Sequence, residues 1–225
     1  MTVIIVGGPP SAGKTRVIHK ALDTNTFDSP VGVAKLDCVE GGDEKQWQAR
    51  GVPVRSILAG DLCPDHMLME QFPALLAWAE ELALGTIVIE TAGLCGRCAP
   101  YLHQALALAV LDATAGIAAP RKFGPLLEDA DLVVMTRGDL VSQAEREAFA
   151  ANVRAINPRA RRIWLDGRTG EGSQSMAMAL REALVQIRCR TGSEGSPALC
   201  GPRTPLPQLY CSYCLGRDQV GIAVL

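Results

Sequence analysis

Short runs of Val, Ile, Leu and Ala recur along the chain and alternate with longer stretches whose apolar residues fall at helical spacing. Runs of this kind predict strands at Thr2–Val6, Gly32–Leu36, Val54–Leu58, Thr86–Glu90, Ala107–Leu111, Leu132–Thr136 and Arg162–Leu165. The stretches between them predict helices at Lys14–Leu22, Asp65–Leu84, Tyr101–Leu106, Ser142–Ile156 and Gly172–Ile187. Strand–helix–strand alternation implies an α/β fold: a mainly parallel seven-stranded sheet with helices on both faces, joined by right-handed crossovers. In the last helix Met176, Leu180 and Leu184 share one face, where methionine is expected to fill core gaps rather than bind a ligand.

The pattern changes near Arg188. Residues 1–188 read as one domain, and 189–225 as a linker followed by a cysteine-containing tail. Cys189–Pro207 is rich in Gly, Ser and Pro and has no periodicity. The chain then closes with Leu-Tyr-Cys-Ser-Tyr-Cys-Leu-Gly and an apolar end, Val220–Leu225. Two tyrosines, two cysteines and an apolar terminus are not a disordered composition, so the tail is expected to dock on the domain or on a partner.

Composition narrows the function classes. Of 225 residues 48% are hydrophobic and 4% aromatic, which favours a helix-covered parallel sheet over a β-sandwich. A formal net charge of -2 provides no electrostatic footprint for nucleic acid. No apolar run approaches the ~18 residues needed to span a bilayer. The chain enters a strand almost at once, without the basic and apolar regions of a signal peptide, so a cytoplasmic protein is expected. In a reducing compartment its eight cysteines are metal ligands, redox groups or core residues rather than a disulfide scaffold.

Gly8-Pro9-Pro10-Ser11-Ala12-Gly13-Lys14-Thr15 fits G-x-x-x-x-G-K-[ST], directly after one predicted strand and directly before a helix. That context identifies a Walker A phosphate loop, or P-loop. Backbone N–H groups of Gly8, Ser11, Ala12 and Gly13 are placed to wrap a β-phosphate, helped by the positive end of the helix. Lys14 is expected to reach the β- and γ-phosphates and the Thr15 hydroxyl to ligate Mg²⁺.

The base is addressed by two later loops. Thr136-Arg137-Gly138-Asp139 stands at the end of the sixth predicted strand, where P-loop GTPases carry [NT]-K-x-D. A carboxylate at Asp139 can accept two hydrogen bonds from guanine N1 and N2, a donor pair that adenine lacks. Arg137 takes the place of the usual lysine and can stack its planar guanidinium on the base. Asp166-Gly167-Arg168-Thr169-Gly170-Glu171-Gly172, after the seventh strand, is similar to the S-A-K-T-G-E-G loop that closes over guanine, with Thr169 and Gly170 as candidate contacts. Together the loops predict GTP rather than ATP.

From Met1 to about Ile187 the chain resembles the metallochaperone GTPases of the HypB and UreG type, which deliver nickel to hydrogenase and urease, with the CobW group as more distant relatives. The resemblance rests on the P-loop, on Ala34-Lys35-Leu36-Asp37, on Glu90-Thr91-Ala92-Gly93 and on the two base loops. It implies that Glu90 is the acid near Mg²⁺ and that Asp37 is a switch aspartate handling Mg²⁺ or the attacking water. Asp43 is a candidate second switch acid, weighed against the commoner reading of a solvated loop charge. The resemblance further implies a homodimer and a metalloenzyme client.

In the hydrogenase-type chaperones a Cys-His pair in one switch and a Cys-Pro in the next hold nickel or zinc at the dimer interface. This chain has Cys63-Pro64-Asp65-His66 at the first place and Cys95-Gly96-Arg97-Cys98-Ala99-Pro100 at the second. Here Cys63 and His66 are two residues apart rather than adjacent, and the second place holds an additional cysteine. A C-x-x-C turn supplies half of a tetrahedral thiolate site, which suits Zn²⁺, Cu(I) or an iron–sulfur cluster and not a hard cation, while the resemblance implies nickel or zinc. Cys211 and Cys214 can supply the other half, within a chain or across a dimer. Cys38 and Cys189 read as packing residues.

Glu90 precedes Cys95 by five residues, and the helix carrying His66 is expected to follow the strand beside the P-loop. Phosphate and metal would then act on the same segments. The expected function is a GTP-binding and hydrolysing protein that couples nucleotide state to handling a metal centre for a target enzyme. Other readings of the same residues are an ATP-driven iron–sulfur redox protein, a small-molecule kinase lacking an evident Arg-rich lid, and a nucleotide-gated scaffold with a structural metal.

Overall fold

The structure, a computed structural model, describes residues 1–37, 42, 44–58, 64–91, 101–191 and 203, without the side chains of 44, 64–66, 69 and 188–191. The strands are β1 (Thr2–Gly7), β2 (Val31–Asp37), β3 (Val54–Leu58), β4 (Thr86–Thr91), β5 (Ala105–Asp112), β6 (Leu132–Thr136) and β7 (Arg161–Leu165). The helices are α1 (Lys14–Asp23), α2 (Glu44–Ala49), α3 (Pro64–Glu81), α4 (Ala119–Lys122), α5 (Gly124–Glu128), α6 (Gln143–Ile156) and α7 (Ser173–Thr191).

The strands form one sheet in the order β3-β2-β4-β1-β5-β6-β7, and every pairing is parallel. A strand alternates its side chains between two faces, so a sheet covered on both sides needs unbroken apolar runs. Val3 and Ile5 join the core beneath α3 and α6, with Phe72, Leu75, Phe149 and Val153. Ile4 and Val6 face the opposite core, with Val17 and Ile18 of α1 and Met176, Leu180 and Leu184 of α7. The methionine reading therefore holds for Met176, which is fully buried. α6 starts at a reciprocal cap: the Ser142 hydroxyl accepts from the Glu145 amide at 3.3 Å, and the Glu145 carboxylate accepts from the Ser142 amide at 2.8 Å.

Two expectations are corrected. Tyr101–Leu106 is not a helix: β5 begins at Ala105, and its Ala-Leu alternation, buried on both faces, belongs to the strand beside β1. Ala and Leu are strong helix formers, but here burial between two helical layers overrides propensity. The second correction concerns α3. It follows β3, the outermost strand, which β2 and β4 separate from β1, and not a strand beside the P-loop. The short helices α2, α4 and α5 were not anticipated.

Candidate nucleotide site

Parallel strands deliver their carboxyl ends to one edge, the place where open α/β sheets bind ligands. β1 ends into the P-loop, β4 ends beside it with Glu90 opposite Val6, and β2 brings Asp37 to the same edge. On the other side β5 ends at Asp112, level with Thr136 of β6, which is level with Leu165 of β7. The predicted phosphate and base residues thus gather along one edge.

The P-loop takes the turn that its glycines permit. Gly13 caps α1 at φ 94°, ψ 20°, a left-handed conformation that would strain any residue with a Cβ. Ser11 accepts such strain at φ 62°. The loop is pinned from across the sheet: the Thr136 hydroxyl donates to the Ala12 carbonyl at 2.8 Å. Buried Lys14 curls back, its Nζ donating to the carbonyls of Gly8 and Pro9 at 3.0 Å each. That leaves one of its three N–H donors without a partner among the described residues. Burial lowers the Lys14 pKa, opposed by the charges of Glu90 and Asp37.

The Thr15 hydroxyl lies against both carboxylate oxygens of Glu90, at 2.8 and 3.0 Å. Burial raises the Glu90 pKa, against the pull of Lys35, the Thr15 hydrogen bond and Lys14. Asp37 pairs with Lys35 at 3.7 Å. One hydroxyl at the start of α1 and two carboxylates at the ends of the paired strands β4 and β2 offer hard, all-oxygen donors. This donor set fits a hard cation: Thr15 and Glu90 would hold Mg²⁺, with Asp37 near enough in the fold to handle the ion or the attacking water, and the ion would supply positive charge against the phosphates.

Beside the P-loop opens a cleft of about 350 Å³. Gly13, Arg16 and Val17 form one wall, Thr136, Arg137, Asp139 and Leu140 another, and Leu165 to Arg168 the third. Asp139 is exposed at the rim rather than buried. Arg137 sits in the left-handed region at φ 56°, ψ 30°, and its guanidinium is paired with Asp112. Thr169 and Gly170 are not among the lining residues. The Thr169 hydroxyl donates to the Asp166 carboxylate at 2.7 Å and accepts from the Glu171 amide at 3.2 Å, so Thr169 shapes the loop. Asp166 also accepts from the amides of Arg168 and Thr169, and its pKa is lowered first by the Thr169 hydroxyl.

Sequence reasoning assigned no role to Arg16, Val17, Leu140 or Asp112, and quoted Thr136 only as the opening residue of the base motif. Only Asp112 carried a local signal: Asp-Ala-Thr after a predicted strand is the pattern of an aspartate capping the next turn.

Of the soft-metal candidates, Cys63, Cys95, Cys98, Cys211 and Cys214 lie outside the described residues, as does Cys38; only the backbones of His66, in the first turn of α3, and Cys189, in α7, are described. Arg203 anchors at the opposite edge of the sheet. Its amide donates to the Tyr101 carbonyl at 2.9 Å. Its guanidinium donates to the carbonyls of Leu102, Asp129 and Ala105 and to the Asp131 carboxylate, at 2.6 to 3.0 Å.

A strand, a lysine-bearing loop and a helix N-terminus, with an acid on the adjoining strand, define a P-loop nucleoside-triphosphate-binding domain. The chain belongs to the CobW/HypB/UreG family, whose nucleotide-binding domain matches residues 2–163. It is 40% identical over 222 residues to the uncharacterized protein MJ0120 of Methanocaldococcus jannaschii, covering 98% of this chain and 91% of that one. The hydrogenase maturation factor HypB of Azotobacter vinelandii is 29% identical over 185 residues, covering 80% of this chain and 60% of its own length. Among solved structures, HypB of Helicobacter pylori in complex with nickel superposes with a TM-score of 0.68 at 20% identity, covering 87% and 91% of the two chains. HypB of Archaeoglobus fulgidus gives 0.66 at 22%, covering 82% and 90%. These superpositions establish the shared fold. Among the described residues no helix is long and apolar enough to cross a membrane.

Proposed function

We propose that the protein binds and hydrolyses GTP with Mg²⁺ and couples its nucleotide state to the handling of a soft metal ion for a client metalloenzyme. The observation that carries the nucleotide half is the continuity of the P-loop with the cleft: Gly13 belongs to both, and Asp139 stands at the cleft's rim. In this reading Lys14 neutralises phosphate charge, Thr15 and Glu90 hold Mg²⁺, and Asp37 orients the attacking water. Arg137 and Asp139 read guanine, and the 166–172 loop bounds the site.

The metal half is supported by family membership and by the C-x-x-C spacing of Cys95 and Cys98, the first of which stands five residues after Glu90. The named relatives are a hydrogenase maturation factor and a urease accessory protein. A nickel or zinc ion is therefore the proposed cargo, held by Cys95 and Cys98 with Cys63, His66, Cys211 or Cys214. A homodimer in the cytoplasm belongs to the same reading, as does a GTPase domain over 1–188 with a tail over 189–225. The Arg203 contacts support docking of that tail on the domain.

The deciding experiment is a competition titration of purified protein with GTP and ATP, combined with turnover assays of wild type and Lys14→Ala and with metal analysis. Guanine-selective binding, Lys14-dependent turnover and stoichiometric soft metal support the reading. Equal affinity for ATP and GTP overturns the guanine assignment. An iron–sulfur absorbance spectrum overturns the proposed cargo.

A further inference from the structure

We propose that Asp112 is a positioning residue of the base cleft: by gripping Arg137 from the end of β5, it sets the turn that presents Asp139 and so the preference for guanine. This rests on the reading of the cleft as a guanine site.

Arg137 carries the turn. Its backbone caps the short 3₁₀ segment Gly138–Leu140 that holds Asp139, with the Leu140 amide donating to the Arg137 carbonyl at 3.1 Å. It does so from a left-handed conformation that a side chain with a Cβ rarely adopts, so something outside the turn must hold it there. Two grips are visible. On one side Gly138 lies against the Trp164 ring so closely that an added Cβ would sit 2.8 Å from its Cε3. On the other, the Arg137 guanidinium is ion-paired with Asp112.

Asp112 is suited to be a fixed post. Its Oδ1 accepts from the Thr114 amide at 2.8 Å and the Thr114 hydroxyl at 2.7 Å, capping the 3₁₀ turn that follows β5. Its Oδ2 is left to Arg137. The two oxygens thus divide the work, and the cap locks the rotamer that faces the guanidinium. Asp112 does not line the cleft, whereas Arg137 does, so Asp112 acts through Arg137 and not on the base. The pairing also accounts for an arginine at this place. A planar guanidinium held by a carboxylate keeps a defined plane, which a lysine ammonium has no means to do.

The division of oxygens supplies the test. Asp112→Asn keeps an oxygen for the Thr114 cap and removes the charge that holds Arg137. We expect about tenfold weaker GTP binding, ATP binding changed by less than about threefold, a raised KM for GTP and kcat within about twofold of wild type. Asp112→Glu, which restores the charge but not the cap geometry, is expected to recover part of the guanine preference. In an Arg137→Lys background the Asp112→Asn effect is expected to shrink, since the two residues act as one unit. Equal loss of GTP and ATP affinity in Asp112→Asn, or an unchanged ratio in a stably folded variant, overturns the proposal. Wild type without any guanine preference sinks the guanine reading itself; wild type that prefers guanine with an unaltered Asp112→Asn ratio sinks only the role of Asp112. If Asp112→Asn is too unstable to assay, the ratio is read from Asp112→Glu and Arg137→Lys, and two unaltered ratios there are equally fatal.

Discussion

The hydroxyl of Thr15 touches both carboxylate oxygens of Glu90, and this contact joins the start of α1 to the end of β4. It holds a buried carboxylate at the mouth of the P-loop. Glu90 is 6% exposed and its pKa is raised by burial, and Lys14 beside it is lowered for the same reason. Two neighbouring titratable groups whose pKa values burial pushes in opposite directions are characteristic of sites that act on a charged ligand.

Thr15→Ala removes the hydroxyl while leaving the P-loop backbone intact. Mg²⁺-dependent GTP turnover is expected to fall by about two to three orders of magnitude, the scale of losing one preorganised contact to a developing charge. The nucleotide-free protein is expected to lose about 1–3 kcal/mol, because a buried carboxylate forfeits its donor. Turnover assays and urea unfolding on the same preparation separate the two effects. Undiminished turnover refutes the role of Thr15.

The raised pKa of Glu90 carries a pH signature whose sign is fixed. Between the ordinary glutamate value and the raised one, the folded state holds a proton that the unfolded chain has released. Stability of the nucleotide-free protein therefore falls as pH rises through that window, by at most about 1.4 kcal/mol per pH unit for one group. Glu90→Gln keeps an acceptor for Thr15 and cannot titrate, so its stability profile is expected to lack that component. Urea midpoints measured across the window in both proteins test this; parallel profiles refute it.

The phosphate loop was legible in the sequence because its chemistry is local: eight consecutive residues bind one ligand between a strand and a helix. The sheet was legible for a related reason, since two-sided burial writes itself as unbroken apolar runs. β5 was misread at its start because Ala105 and Leu106 suit a helix as well as a strand, and only the neighbours β1 and β6 decide between them. The Asp112–Arg137 pair joins residues 25 positions apart, and nothing local announces it. The exposure of Asp139 was likewise invisible, since it depends on how β6, β7 and α1 frame the cleft.

That exposure lowers the expected guanine discrimination. A rim carboxylate accepting two hydrogen bonds is expected to favour GTP over ATP by roughly 1–3 kcal/mol. Asp139→Asn places an amide donor where guanine also has a donor, so GTP binding should drop. Xanthosine triphosphate, which offers an acceptor at that position, should gain. Fluorescence titrations of both nucleotides check the swap; GTP affinity unaffected by Asp139→Asn removes the residue from base recognition.

Arg203 is a half-buried cation far from the nucleotide edge, 12% exposed in its side chain, that satisfies three carbonyls and the Asp131 carboxylate. Asp131 also accepts from the Ala107 amide at 2.9 Å, so the pair ties β5 to the segment entering β6. Arg203→Ala strands these acceptors and is expected to cost about 2–4 kcal/mol in denaturant unfolding. Deleting 204–225 spares the anchor and is expected to cost less. A neutral Arg203→Ala would show that the tail is not part of the folded unit.

The proposed cargo site lies on Cys95 and Cys98, in the chain immediately after the strand that bears Glu90. If nucleotide state governs that segment, metal affinity must differ between the GDP form and a non-hydrolysable GTP form. The coupling is reciprocal: whatever factor GTP adds to metal binding, metal adds to GTP binding. Coupling energies of this kind are typically about 1–3 kcal/mol, a 5- to 150-fold change in affinity. Both legs of the cycle are measurable, by zinc and nickel titration at fixed nucleotide and by nucleotide titration at fixed metal. Cys95→Ala/Cys98→Ala is expected to lose the metal and to abolish the metal dependence of GTP affinity while leaving metal-free GTP binding within about twofold. Full metal content in that double variant moves the site to other cysteines, with Cys211 and Cys214 the next to substitute. Metal bound with equal affinity in both nucleotide states makes the ion structural, and the coupling mechanism fails although the site survives.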